Sequence, residues 1–177
     1  MRFSIIFFAA LLFLFSANAQ TGNTDSTAMN TTLKQQADTM AQLLLKKDYN
    51  NFIKYTYPAI ITMAGGKEKL LAGLTTAMKN MEAQGFTFSK IELGEPSKMI
   101  RTDKELQCTV PQILELKTTD GRLVTKSTLI AVSKDNGRKW YFIDTQGKDI
   151  STLKKQLSNL SSALVIPAKE QPLFYKD

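Results

Sequence analysis

From Thr31 or Thr32 onward, apolar residues return every three or four positions: Leu33, Ala37, Met40, Ala41, Leu44 and Leu45. That spacing predicts an amphipathic helix ending near Lys47. Asp48 suits the N-cap of a second, short helix carrying Tyr49, Phe52, Ile53 and Tyr55, and Pro58 suits the first position of the turn after it. Gly65-Gly66 breaks the backbone. A third helix then presents Leu70, Leu71, Leu74, Ala77, Met78 and Met81 on one face and stops at Gly85.

Beyond Gly85 the period becomes two. Phe86, Phe88, Ile91 and Leu93 fit a first strand, with Pro96 at its end or on an edge. Met99 and Ile100 lead into a turn around Thr102-Asp103-Lys104. From Glu105 to Lys117 the alternation is clean. Leu106, Cys108, Val110, Gln112, Leu114 and Leu116 share one face, and the intervening residues share the other. Asp120-Gly121 and Asn136-Gly137 are two-residue hairpin signals framing strands from about Val124 to Ser133 and from Lys139 to Asp144. A helical stretch follows near Ile150 to Leu164, then a tail from Pro167. Helices followed by an antiparallel meander predict an α+β domain, with N-terminal helices packed on one face of a curved sheet and a C-terminal helix.

The two turns also predict registers. A loop at Asp120-Gly121 pairs Gln112 with Leu129 and Val110 with Ala131, and one at Asn136-Gly137 pairs Leu129 with Asp144 and Ala131 with Phe142. Cross-strand neighbours share a face. Gln112, Leu129 and Asp144 are thereby expected in one row, beside rows of Val110, Ala131 and Phe142 and of Cys108, Ser133 and Trp140. Asp144 and Gln112 are then the polar members of an apolar face.

The N-terminus changes the setting. Residues 1–19 combine Arg2, an apolar run from Ile5 to Phe15, and Ala17 and Ala19 around Asn18, the pattern of a secretory signal cut after Ala19. The run is short for a membrane span of roughly 20 residues. A secreted or periplasmic protein is expected, with no membrane span. Removing 19 of the 177 residues leaves 158. Residues 20–30 read as a flexible lead, 31–167 as a single domain, and 168–177 as an irregular tail.

Composition removes several chemistries. Cys108 is the only cysteine and histidine is absent. An internal disulfide, a cysteine–histidine nucleophile, a serine–histidine triad and the usual zinc ligand all go with them. No metal or cofactor is expected. The formal charge of +7 is spread along the chain, with no run longer than the pairs Lys46-Lys47 and Lys154-Lys155. A nucleic-acid partner is therefore not expected, because such surfaces concentrate their charge. Gly65-Gly66-Lys67 lacks the spacing of a phosphate loop.

Asp144 and Gln112 remain as candidates. A carboxylate desolvated on an apolar sheet face is a proton carrier near neutrality, and an amide beside it could orient a carbonyl or hydroxyl. The plainer alternative is that Asp144 ends its strand and caps the amides around Thr145 to Gly147. Trp140, Tyr55 and Tyr57 are the further ligand-binding candidates, with Tyr49 nearby; core packing is the alternative for the tyrosines. The other sheet face, with Thr109, Ile113, Val124, Thr128, Ile130, Val132, Tyr141 and Ile143, is too apolar for full exposure. A homodimer packing sheet to sheet is the expected cover.

In the order of its elements the chain resembles the nuclear-transport-factor-2-like superfamily, which includes ketosteroid isomerase. More narrowly, it resembles small exported bacterial proteins of unassigned function that share four features in order. These are the Tyr-x-x-Pro helix start (Tyr55 to Pro58), the Gly-Gly-Lys-Glu break (Gly65 to Glu68), the Val110-Pro111 pair, and the Asp-x-Gly-x-x-Trp-x-Phe-Ile-Asp ending (Asp135 to Asp144). The resemblance implies a cone-like fold with a pocket between helices and concave sheet, and frequent dimerisation through sheets. It leaves function open. The first expectation is a non-catalytic domain binding a small apolar-polar ligand or a protein partner. The second is an acid-base enzyme of isomerase or dehydratase type using Asp144 with Gln112 or a tyrosine. The third is a structural envelope protein acting through its dimer surface.

Overall fold

The computed structural model describes the backbone of residues 22–176 and side chains from residue 26. The signal-like segment 1–19 lies outside the described residues. Helix α1 runs Gly22–Leu45, so residues 22–30, expected as a flexible lead, continue the helix N-terminally. Leu33, Ala37, Met40 and Ala41 form its buried stripe. The chain leaves α1 through Lys47 in the left-handed region (φ 59), with Asp48 N–H donating to the Leu43 carbonyl at 2.9 Å. Asp48 then caps α2 (Tyr49–Phe52), accepting from Asn51 N–H. A 3-10 turn (Ile53–Tyr55), α3 (Pro58–Met63, proline at its start) and α4 (Lys67–Ala83) follow.

The sheet is antiparallel, curved and unclosed. Strands β1 (Thr87–Leu93), β3 (Leu106–Thr118), β4 (Gly121–Ser133) and β5 (Tyr141–Asp144) lie in that order, β2 (Ile100–Arg101) adds to β3, and β6 (Leu173–Lys176) adds to β4. A bulge between Phe88 and Lys90 lets β1 turn both Phe88 and Ile91 to one face, opposite Leu116 and Leu114. Leu129 pairs with Asp144 and Ala131 with Phe142, as the Asn136-Gly137 turn predicts, with φ of 57 and 84 at the two turn residues.

The other hairpin is displaced by two residues from expectation. Thr118 pairs with Gly121, so Thr119-Asp120 is the turn, Gln112 pairs with Ser127, and Val110 pairs with Leu129. The reason lies in β6. A Cβ on Gly121 would sit 2.1 Å from the Tyr175 carbonyl oxygen, so this glycine serves a close strand approach at the start of β4. A shift of two preserves faces and moves rows. Asp144 shares its row with Leu129 and Val110, one step from Gln112; likewise Cys108 pairs with Ala131, and Leu106 with Ser133.

The core has two layers. On the inner face α1 packs on Leu106, Cys108, Val110, Leu129, Ala131, Trp140 and Phe142. On the outer face Ile130, Val132 and Ile143 are buried beneath Tyr57 and the C-terminal residues Leu153, Leu157, Leu160 and Leu164. That segment is helical only in α5 (Ile150–Lys154), capped by Asp149, and then descends in hydrogen-bonded turns where a longer helix was expected. The tail expected to be irregular ends in β6. The buried part of the outer face, Ile130, Val132 and Ile143, thus has its cover within the same chain, while Ile113 of that face is 38% exposed.

Buried polar groups fasten this second layer. Tyr57 Oη donates to Glu105 Oε1 at 2.9 Å; Asn159 Nδ2 donates to Tyr57 Oη and to Glu105 Oε2, both at 2.8 Å. Gln107 Nε2 donates to Glu105 Oε2 and to the Asn159 carbonyl, while its Oε1 accepts from Ser161 N–H. Lys134 lies 3.6 Å from Glu105 Oε1 and supplies the opposing charge. A wholly buried glutamine would be costly without partners; here each end of the amide bonds to the segment that covers it.

Candidate functional site

Helix α4 carries the apolar stripe the sequence predicts, yet none of its residues is buried. Its neighbours are α2, α3 and the 3-10 turn. Between its stripe and the inner sheet face lies a cavity of about 410 Å³, with Leu70, Leu74 and Met78 on the helix side and Phe88, Leu114 and Leu129 on the sheet side. A helix that leaves leucines half exposed over an apolar sheet lacks the contacts a packed core supplies. The volume falls within the range of about 300–1,000 Å³ usual for small-molecule pockets, which combine apolar walls with a few polar groups.

Apart from Thr56, the polar lining groups come from β3, the end of β5 with the turn after it, and the C-terminal segment. Asp144, Gln146, Lys148 and Gln156 form an exposed rim, and Gln112, which is buried, reaches the lining from β3. They come together because β5 stops at Asp144 and the chain reverses immediately. Asp144 Oδ1 accepts from Gln146 N–H at 2.9 Å, and Gln146 and Gly147 both adopt positive φ. The capping role weighed for Asp144 from sequence is therefore present, on a residue that also lines the cavity. Gln112 Nε2 donates to Ser127 Oγ at 2.6 Å, as the displaced register requires.

The other candidates sit elsewhere. Trp140 is fully buried in the inner core, and Gln36 of α1 bridges its loop by accepting from Trp140 N–H and donating to the Arg138 carbonyl. Tyr55 packs at the edge of that core, with the Lys139 ammonium 3.8 Å from its ring centroid. Burial pushes the Lys139 pKa down, while Asp135 opposes the shift. Tyr57 belongs to the Glu105 network; burial first, then the Glu105 carboxylate, push its phenol up to about 12. None of these three lines the cavity, and each instead does structural work that a side-chain inventory does not distinguish from binding. Cys108 is buried, which pushes its thiol up to about 12 and removes it as a nucleophile.

Sequence reading passed over Lys148, Gln146 and Gln156. Lys148 and Gln146 could have been noticed as the residues after a strand end already under suspicion, whereas Gln156 reaches the rim only through the fold of the C-terminal segment. Among the described residues, no cluster of three or more histidine, cysteine or acidic residues could hold a metal, and no helix is long and apolar enough to cross a membrane. No protein family, curated protein or solved structure matches the chain.

Proposed function

We propose that this is an exported, non-catalytic domain that binds a small molecule with an apolar body and a polar end in the cavity beneath α4. The observation that carries the reading is the unfilled space between the α4 stripe and the sheet, whose mostly apolar walls carry a small polar set: Thr56, Gln112, Asp144, Gln146, Lys148 and Gln156. Three further points support it: the signal-like N-terminus, the element order resembling the nuclear-transport-factor-2-like superfamily, and that superfamily's habit of placing a pocket between helices and sheet. Asp144 and Gln112 act in this reading as orienting groups. The Asp144 carboxylate holds a turn and Gln112 is engaged with Ser127, an arrangement better suited to hydrogen-bonding a ligand than to moving a proton.

The test is titration with a neutral apolar fluorophore, N-phenylnaphthylamine, against the wild type and Leu74→Trp, which fills the cavity from the half-exposed helix side. Saturable one-to-one binding by the wild type, weakened at least about tenfold in the variant, is expected from the apolar area lost to the ligand. Absence of saturable binding, or equal binding by a folded variant, overturns the reading.

A further inference from the structure

A second cavity, of about 540 Å³, adjoins the first. Its lining includes Pro111, Ile113 and Thr128 of the outer sheet face, the turn after β5, and the tail from Ile166 to Glu170. Gln112, Leu114, Asp144 and Gln146 line both spaces. They meet at a break in the sheet edge. On this side of β4, β5 pairs with Leu129–Val132 and β6 with Gly121–Val124, and no described strand pairs with the residues between them.

We infer that the two cavities form one bent site for a single-chain amphiphile with an anionic head, its chain under α4 and its head at the break beside Lys148 and Lys169. This rests on the binding reading above and extends it to the class of ligand. The first argument is size. At ~30 Å³ per non-hydrogen atom, the share of a water molecule in the liquid, the inner cavity takes on the order of a dozen atoms. The apolar walls of the inner cavity suit a hydrocarbon chain, and the outer cavity leaves room for the head.

The second argument is charge. Lys126, Lys148 and Lys169 line the joined cavities, against Asp144 and Glu170. Both acids are engaged: Glu170 pairs with Lys126 at 2.9 Å, and Asp144 holds Gln146 N–H. Lys148 and Lys169 make no side-chain ion pair among the described residues. Lys169 lays its methylenes over the turn, within 2.8–3.3 Å of where a Cβ on Gly147 would lie, which brings it close to Lys148 in the fold. Two uncommitted ammonium groups supply donors for a carboxylate or phosphate head.

The experiment compares dodecanoate, dodecanol and dodecyltrimethylammonium by calorimetry below their aggregation concentrations, on wild type and on the doubly substituted Lys148→Ala, Lys169→Ala protein. Both lysines are exposed, so folding is expected to be unaffected. Dodecanoate should bind tightest and lose about tenfold in the variant, the loss expected when a charged hydrogen-bond donor is removed, while dodecanol is unchanged. Shortening the carboxylate from about twelve to eight carbons should weaken it by about fourfold per methylene, the fold-change corresponding to ~0.8 kcal/mol per buried CH₂. Equal binding of the three heads overturns the anionic assignment and leaves the apolar-ligand reading standing. Binding that ignores chain length overturns the placement of the chain. Failure of all three probes and of the neutral fluorophore overturns both readings together.

Discussion

Replacing Leu160 by alanine tests whether the C-terminal segment is a true second layer. Leu160 is 1% exposed and packs with Leu153, Leu157 and Leu164 over Ile130, Val132 and Ile143. Full burial of a leucine contributes roughly 1.5–3 kcal/mol by transfer. Truncation adds the cost of the space left behind, for a total of about 2–5 kcal/mol. The neighbours are held by strand hydrogen bonds on one side and by the Gln107–Ser161 and Asn159–Glu105 bonds on the other, so little collapse is available and ~3 kcal/mol is the working value. With an m-value of about 2 kcal/mol/M, the urea midpoint should fall by about 1.5 M. Trp140 is the only tryptophan and is buried across the sheet in the inner layer, so its fluorescence reports whether both layers unfold together. Val165→Ala, at a position 75% exposed, is the control and should move stability by less than about 0.5 kcal/mol. A Leu160→Ala cost indistinguishable from that control would mean that the segment does not close the outer face. The face would then again require a partner.

Three further outcomes follow from the same contacts. Tyr57→Phe should cost about 1–2 kcal/mol near neutrality, because Glu105 keeps Gln107 and Asn159 as donors. The phenol is raised from 10.0 to about 12 in the folded state, so its stabilising contribution is complete below pH 10 and is lost as pH rises toward 12. The wild-type advantage over Tyr57→Phe should shrink across that window in urea titrations, and an advantage that grew would reverse the assigned sign. Cys108 should resist alkylation by iodoacetamide at pH 8 in the native protein and react as one thiol per chain in urea; rapid native reaction would contradict its burial. Gly121→Ala forces a Cβ against the Tyr175 carbonyl, and amide exchange at Leu173–Lys176 should rise to near that of a free chain while the β5 amides stay protected. Unchanged protection of β6 would show that the close approach is not what keeps glycine there.

The inner layer was legible because local pattern and global placement agree there. The i, i+4 spacing of Leu33 and Ala37 needs only a sheet to bury against, and the alternation of β3 supplies it. Two errors share a cause: a local signal answered to a distant partner. Asp120-Gly121 carries turn chemistry, but Gly121 is required by Tyr175, which lies 54 residues away in sequence, and no turn rule registers such a contact. The outer rows of β3 and β4 were apolar enough to demand a cover. The leucines at 153, 157, 160 and 164, spaced by four, three and four, carry a helical period that does not say where they pack. Those two apolar surfaces are each other's partners in the fold, and Glu105 and Gln107 at their border hold the polar anchors between them. The site shows the same division. Asp144 was identified from its odd position at the end of an apolar strand, whereas Lys148 and Lys169 join it only because β5 stops and the tail crosses the turn. What singles out Asp144 is its place beside the stretch of the β4 edge that no described strand pairs, where it lines both cavities.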